Sequence, residues 1–179
     1  ATFVLMDFNR DQSWDNLKAV FDAKLTAREA WNKFIGLHEQ IIPKPYWEKL
    51  RQVDIEDEQD DTVEWLQRIV TESPIPEKIV AFWIGIFKTE EDEMVYNTIY
   101  LSGAETYDKD SMEWATAPTY LPEDMYVISS VLMQVDEIIK ADKENYEYFD
   151  WILPLAYCAF LFDETIRTKL DKTLFLKNQ

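Results

Sequence analysis

From Lys78 to Lys88 the chain reads KIVAFWIGIFK, with no charge between the two lysines. Both alternations of that segment are apolar, which predicts a strand covered on both faces, inside a sheet. Its backbone groups need a hydrogen-bonding neighbour. Met94–Leu101, MVYNTIYL, is rich in β-forming residues and alternates less strictly. Glu90-Glu91-Asp92-Glu93 lies between the two. The spacing predicts an antiparallel pair joined by a loop of about five residues. Trp83, together with Phe82 or Ile84, is expected to be buried on opposite faces of the inner strand. Gly103 is expected to permit a bend where the second strand ends.

The segments on either side have helical spacing. Ser13 reads as an N-cap, followed by Trp14, Leu17, Phe21 and Leu25. Thr26 and Glu29 form a capping-box pattern ahead of a second helix, whose apolar face is Ala27, Ala30, Trp31, Phe34, Leu37 and Ile41. Pro43 and Pro45 end it, and Tyr46–Gln52 allows one short helical turn. The acidic stretch Asp54–Asp61 reads as a solvated loop and helix start. It leads into a third helix carrying Val63, Leu66, Ile69 and Val70, and Ser73-Pro74-Ile75-Pro76 breaks that helix. Further on, Pro122 suits a first helical position, with Met125, Ile128, Leu132, Val135 and Ile139 as the buried stripe. A final helical region covers Asn145 to Lys172, bent or broken at Pro154. The expected fold class is α+β, with helices packed on a small, mostly antiparallel sheet. At 179 residues the chain is expected to form a single globular domain.

Charge limits the partners. Asp and Glu number 35 against 18 Lys and Arg, for a net charge of −17. The surplus is concentrated: nine acids and one base (Arg68) lie between Gln52 and Glu77, and twelve acids and one base (Lys109) between Thr89 and Glu137. Such a field repels nucleic-acid phosphates and anionic membranes and steers basic proteins inward. Aromatics make up 15% of the chain, enough for a packed core despite the charge. Trp151–Phe162 is too short for a membrane span, which needs about 20 residues. The first residues, Ala-Thr-Phe-Val-Leu-Met-Asp, lack the pattern of a secretory leader. The one cysteine, Cys158, excludes an intrachain disulfide and fits a reducing, cytoplasmic setting. Its apolar surroundings predict a buried, inert thiol.

Catalytic patterns are missing. His38 is the one histidine, so a catalytic triad and a His-rich zinc set are both excluded. His38 reads as a helix-face or satisfied core residue. There is no phosphate-binding loop, dinucleotide fingerprint or cysteine pair. Asp54, Glu56 and Glu58 alternate as calcium ligands would, but Gln59 stands where an EF-hand needs glycine and Trp65 where it needs the closing glutamate. No catalytic residue, metal ligand or cofactor is therefore assigned. Carboxylate pairs can act on sugars without any of these motifs, so a carboxylate-dependent hydrolase or small-molecule binder remains an alternative.

One segment combines aromatics and acids at close range. Ile99–Trp114 reads IYLSGAETYDKDSMEW and Ala115–Tyr126 continues ATAPTYLPEDMY. Rigid aromatics inside a charged rim are what tight protein interfaces use. The order of Ser102-Gly103, Tyr107-Asp108, Trp114-Ala115 and Tyr120 through Glu123, preceded by FWIGIF at Phe82–Phe87, resembles a group of small bacterial proteins found with polymorphic toxin systems. Several of those families are immunity proteins. The resemblance covers Ile79 to Met133. It implies a non-enzymatic inhibitor that caps a basic toxin or nuclease domain.

Two acidic groups are the candidate contacts with a basic protein partner. The first is Asp54, Asp57, Asp60, Asp61 and Glu64, with Trp65 as its anchor. The second is Glu105, Tyr107, Asp108 and Asp110, with Trp114 as its anchor, in a loop where exposure is easier, and Tyr120 as a further aromatic. A nucleic-acid mimic is a further alternative, and it would need carboxylates spaced like phosphates along an extended face.

Overall fold

The computed structural model describes residues 7–175. Residues 1–6, on which the expectation of no secretory leader rests, lie outside the described residues. The class is α+β: among the described residues there are six α-helices and one three-stranded antiparallel sheet. The chain forms two compact units. One takes the chain to residue 59 together with residues 131–168. The other takes residues 60–130 together with the chain from 169.

The first unit is helical. It contains α1 (Arg10–Asp22), α2 (Ala27–Ile41), α3 (Trp47–Arg51), the first turn of α4 (Ile55–Glu72), nearly all of α5 (Ser130–Ile139), and α6 (Tyr146–Glu164). The Thr26–Glu29 capping box is present at the start of α2, and the helix ends at Ile41 ahead of the two prolines. The α1 cap is Asn9, whose side chain accepts from the Gln12 amide at 3.0 Å. Ser13 therefore sits inside the helix, buried beside Leu17 and Val20, while Trp14 is exposed. The acids 56–61 also belong to a helix rather than a loop, because α4 begins at Ile55. Pro154 lies inside α6 without ending it. An interior proline costs about 3 kcal/mol, and the burial of Ile152, Leu153, Ala156 and Tyr157 around it offsets that cost. Among the described residues no helix is long and apolar enough to cross a membrane.

Two polar side chains, one half-buried and one buried, tie these helices together. Glu58 accepts from the Tyr157 hydroxyl of α6, and its other oxygen accepts from the Val131 amide at 3.1 Å, at the start of α5. A carboxylate at a helix N-terminus satisfies an orphan amide and complements the dipole. His38 is fully buried on α2. Its Nδ1 faces the Phe34 carbonyl at 2.9 Å and its Nε2 faces Ser13 Oγ at 2.8 Å. Burial holds the imidazole below its ordinary value of 6.5, only partly opposed by the bond to Phe34. The neutral ring thus donates from Nδ1 to Phe34 and accepts at Nε2 from the Ser13 hydroxyl. The Tyr148 hydroxyl lies within hydrogen-bond reach of both Ser13 Oγ and the Asn9 carbonyl, the latter at 2.9 Å, and with the Ser13 proton given to His38 it shares its one proton between them.

This arrangement makes stability depend on pH. In the unfolded chain His38 binds a proton below about pH 6.5, whereas in the folded chain it resists one. The unfolded state gains protons first, so the contribution is complete above 6.5 and is lost as pH falls toward the depressed folded value. Urea unfolding at pH 8 and pH 5.5 should show wild type losing more stability on acidification than His38→Gln, which has no proton to gain. Equal losses in the two proteins would remove His38 as the source.

The second unit holds the sheet. β1 is Ala81–Glu91, β2 is Met94–Ala104 and β3 is Tyr126–Ile128, in the spatial order β1-β2-β3. The expected antiparallel pair is present, from Ala81 opposite Ala104 to Glu91 opposite Met94. Its loop is shorter than expected. Asp92 and Glu93 alone make the turn, with φ of 50° and 63°, the sign that two-residue hairpins require at both positions. The expectation of an inner β1 is overturned: β2 is central and β1 is an edge. Accordingly Trp83, Phe82 and Ile84 are half-buried, not buried on opposite faces.

Gly103 is not a bend. It lies within β2, opposite Phe82 and bridged to Tyr120. A β-carbon there would stand 2.9 Å from Ile79 Cγ2 and 3.0 Å from Tyr120 Cβ, so the glycine serves close approach. The helix expected from Pro122 starts only at Ser130. Pro122–Met125 is a turn closed by a bond from the Met125 amide to the Pro122 carbonyl at 3.2 Å. Tyr126-Val127-Ile128, all β-forming residues, then pair with Thr98–Tyr100. Ile128 is exposed, while Leu132, Val135 and Ile139 are buried as expected.

Candidate protein-binding surface

Side chains alternate across a sheet, so the register assigns every residue to a face. The inner face carries Asn97, Ile99 and Leu101 of β2, all buried. The outer face carries Trp83, Gly85 and Phe87 of β1, Tyr96, Thr98, Tyr100 and Ser102 of β2, and Tyr126 and Ile128 of β3. Aromatic side chains dominate it. The Phe87 ring lies 5.8 Å from that of Tyr100 and 5.7 Å from that of Tyr126, and Tyr100 and Tyr126 are 6.1 Å apart. Phe87 and Tyr126 belong to strands on either side of β2, so their rings meet above it and cover Thr98, which is buried.

Gly85 makes room for this layer. A β-carbon at Gly85 would fall 2.1 Å from Cε1 of Tyr100, which shows that the Tyr100 ring lies across the glycine. The layer is nevertheless open to solvent. Tyr126 is 58% exposed and Ile128 53%, while Phe87 and Tyr100 are half-buried. At the other end of the face, Trp83 packs edge-on against Trp114 at 5.9 Å, and Trp114 against Tyr107 at 5.3 Å. Tyr107 is 62% exposed.

Acids flank the aromatics. Glu90, Glu91, Asp92 and Glu93 at the hairpin tip are all exposed. Turn chemistry favours Asn-Gly where Asp92-Glu93 stands, so the chain keeps carboxylates at a place where glycine folds more easily. Glu105, Asp108 and Asp110 are exposed on the segment that follows β2. Glu105 lies 4.0 Å from Lys78, a distant surface pair. Asp108 accepts from the Asp110 amide at 2.9 Å and shapes that turn.

The residues proposed from sequence divide clearly. Tyr107, Trp114, Glu105, Asp108 and Asp110 share one accessible segment. Asp54, Asp57, Asp60, Asp61 and Glu64 are exposed as well, on or just before α4, where Asp54 accepts from Gln134 at 3.0 Å and Asp60 lies 3.9 Å from Lys169. Trp65 is overturned as an anchor. It is buried, and its indole donates to the Asp124 carbonyl at 2.9 Å. Its spacing with Leu66 and Ile69 puts it on the core side of α4. Tyr120 is overturned too. It is buried and donates to the Ser73 carbonyl at 2.6 Å, and burial pushes its hydroxyl up to about 12. The residues that sequence reasoning missed are Phe87, Tyr100, Tyr126 and Ile128. The period-two pattern of Tyr96, Thr98 and Tyr100 was the available signal.

Cys158 is buried, and burial pushes its thiol well above the ordinary range, as expected of an inert core cysteine. Among the described residues no group of three or more His, Cys, Asp or Glu side chains could hold a metal ion. Comparison with family models, with curated proteins and with solved structures finds no match.

Proposed function

We propose that this chain is a non-enzymatic, acidic protein-binding domain, and that it acts as an immunity-type inhibitor capping a basic toxin or nuclease domain in the cytoplasm. One observation carries the binding reading: the sheet's outer face holds a solvent-open aromatic layer between two sets of exposed carboxylates. Exposed aromatic patches rimmed by polar groups mark interaction surfaces. Aromatic anchors supply binding energy when a partner desolvates them. The net charge of −17 selects a basic partner and repels nucleic acid directly. The inhibitor reading adds the sequence resemblance at Ile79 to Met133.

The test uses the partner captured from native lysate at low salt. Two folded charge-reversal variants are compared with wild type, one carrying Glu90, Glu91 and Glu93 changed to Lys, the other Glu105, Asp108 and Asp110. Rim charges set association rate, so at least one variant should associate more slowly. Wild-type association should also fall as salt shortens the Debye length to about 8 Å at physiological strength. Adding the chain at equimolar ratio should abolish the partner's toxic or nucleolytic activity. Salt-independent association by wild type and both variants would sink the acidic reading. An undiminished partner activity would sink the inhibitor reading.

A further inference from the structure

The sheet is open on one side. β1 pairs with β2 alone among the described residues, so along residues 81–87 its opposite edge presents outward backbone groups unpaired within the sheet. Sheet edges are usually protected by charge, proline, bulges or brevity. Residues 81–87 of β1, AFWIGIF, carry neither charge nor proline, and their pairing with β2 runs without a bulge. Lys78 and Lys88 flank this stretch, and acids lie beyond each of them. Glu90, Glu91, Asp92 and Glu93 lie at the hairpin end, all exposed. Glu105, also exposed, lies at the other, because Ala104 pairs with Ala81.

We propose that the edge of β1 accepts an extended strand from the basic partner, which adds to the sheet alongside residues 81–87. The inference rests on the basic-partner reading above and specifies the segment that engages. Main-chain hydrogen bonds give a strand addition its affinity, and alternate side chains give it specificity. The apolar stretch suits a β-forming centre in the incoming strand. The four hairpin acids beyond Lys88 suit Lys or Arg at the terminus of the incoming strand that lies beside them. Outward side chains of that strand would lie beside Trp83 and Phe87, where cationic stems can stack on aromatic faces. A second copy of this chain fits less well, since each copy carries a net charge of −17.

The probe is the peptide Arg-Lys-Val-Thr-Val-Thr-Val-Lys-Arg, in three forms: unmodified, N-methylated at its valines, and N-methylated at its threonines. The two methylated forms block opposite sets of amides and keep every charge. In a strand addition only one set faces β1. The expected result is that the unmodified peptide and one methylated form bind alike, while the other methylated form binds at least about tenfold more weakly. Binding should also slow hydrogen exchange at amides within residues 81–87. Equal affinity of all three forms overturns strand addition but leaves the basic-partner reading intact, because charge alone would then hold the peptide. No binding by any form, or protection confined to other amides, overturns strand addition as well. The basic-partner reading is then judged by its own charge-reversal test. A stable dimer by sedimentation without peptide, with slowed exchange in 81–87, assigns the edge to a second copy and also overturns the proposal.

Discussion

Phe149→Ala is expected to cost about 3–5 kcal/mol of stability, the usual range for truncating a fully buried phenylalanine. The side chain has no exposed surface. Its ring lies 4.8 Å from Phe8, 5.3 Å from Trp47, 5.4 Å from Tyr148 and 6.0 Å from His38, in edge-on geometries throughout. Each such pair adds about 0.5–1.5 kcal/mol beyond area burial. Rigid rings close poorly around a void, so most of the cavity penalty should remain. Domains of this size have total stabilities of about 5–15 kcal/mol. A loss in the expected range would therefore bring the helical unit close to unfolding at room temperature. Urea unfolding followed by tryptophan fluorescence measures it, and a loss under about 1 kcal/mol would show that these rings do not form a cooperative core. Trp83→Ala makes the contrast. Its indole is half-buried on an edge strand and packs edge-on against Trp114, so its loss should be the smaller.

What the sequence made legible, and what it hid, follows the range of the interactions. The capping box at Thr26 and the stop at Pro43 are local, and both are where the pattern puts them. The antiparallel pairing of Lys78–Lys88 with Met94–Leu101 is nearly local and was also readable. Strand order is not local. AFWIGIF is apolar on both alternations because its outer face builds an aromatic layer, whereas the pattern alone suggested cover on both sides. Tyr126-Val127-Ile128 fits a helical stripe as well as a strand, and only pairing with Thr98–Tyr100, far away in sequence, decides between them. That ambiguity hid the candidate surface, since Tyr126 and Ile128 are the most exposed large apolar side chains of the sheet itself. Ser13 shows the same limit. Asn9 and Ser13 are both good caps locally, and the buried His38 gives Ser13 its different role. Pro154 would break an isolated helix, but tertiary burial of its neighbours keeps α6 whole.

Tyr126→Ala should weaken partner binding by about 2 kcal/mol or more, the threshold of an interface hot spot, or roughly thirtyfold in Kd. The change should appear in dissociation, because it removes desolvated contact area and leaves the carboxylates that steer encounter. Folding stability should hardly move, since Tyr126 is 58% exposed. This separates the prediction from a general loss of structure. Gly85→Ala tests the same layer by a different route. Its new methyl would meet the Tyr100 ring, with the nearest ring atom 2.1 Å away, so the ring must leave its place across the glycine. Tyr100 is half-buried and can swing outward, which disorders the layer without removing an aromatic. Binding should therefore weaken in Gly85→Ala although every anchor and every charge is retained. Surface plasmon resonance at fixed salt resolves the two rates for both variants. If both dissociate like wild type, the outer face is not the contact, and whatever affinity the chain has for a basic partner comes from its carboxylates alone.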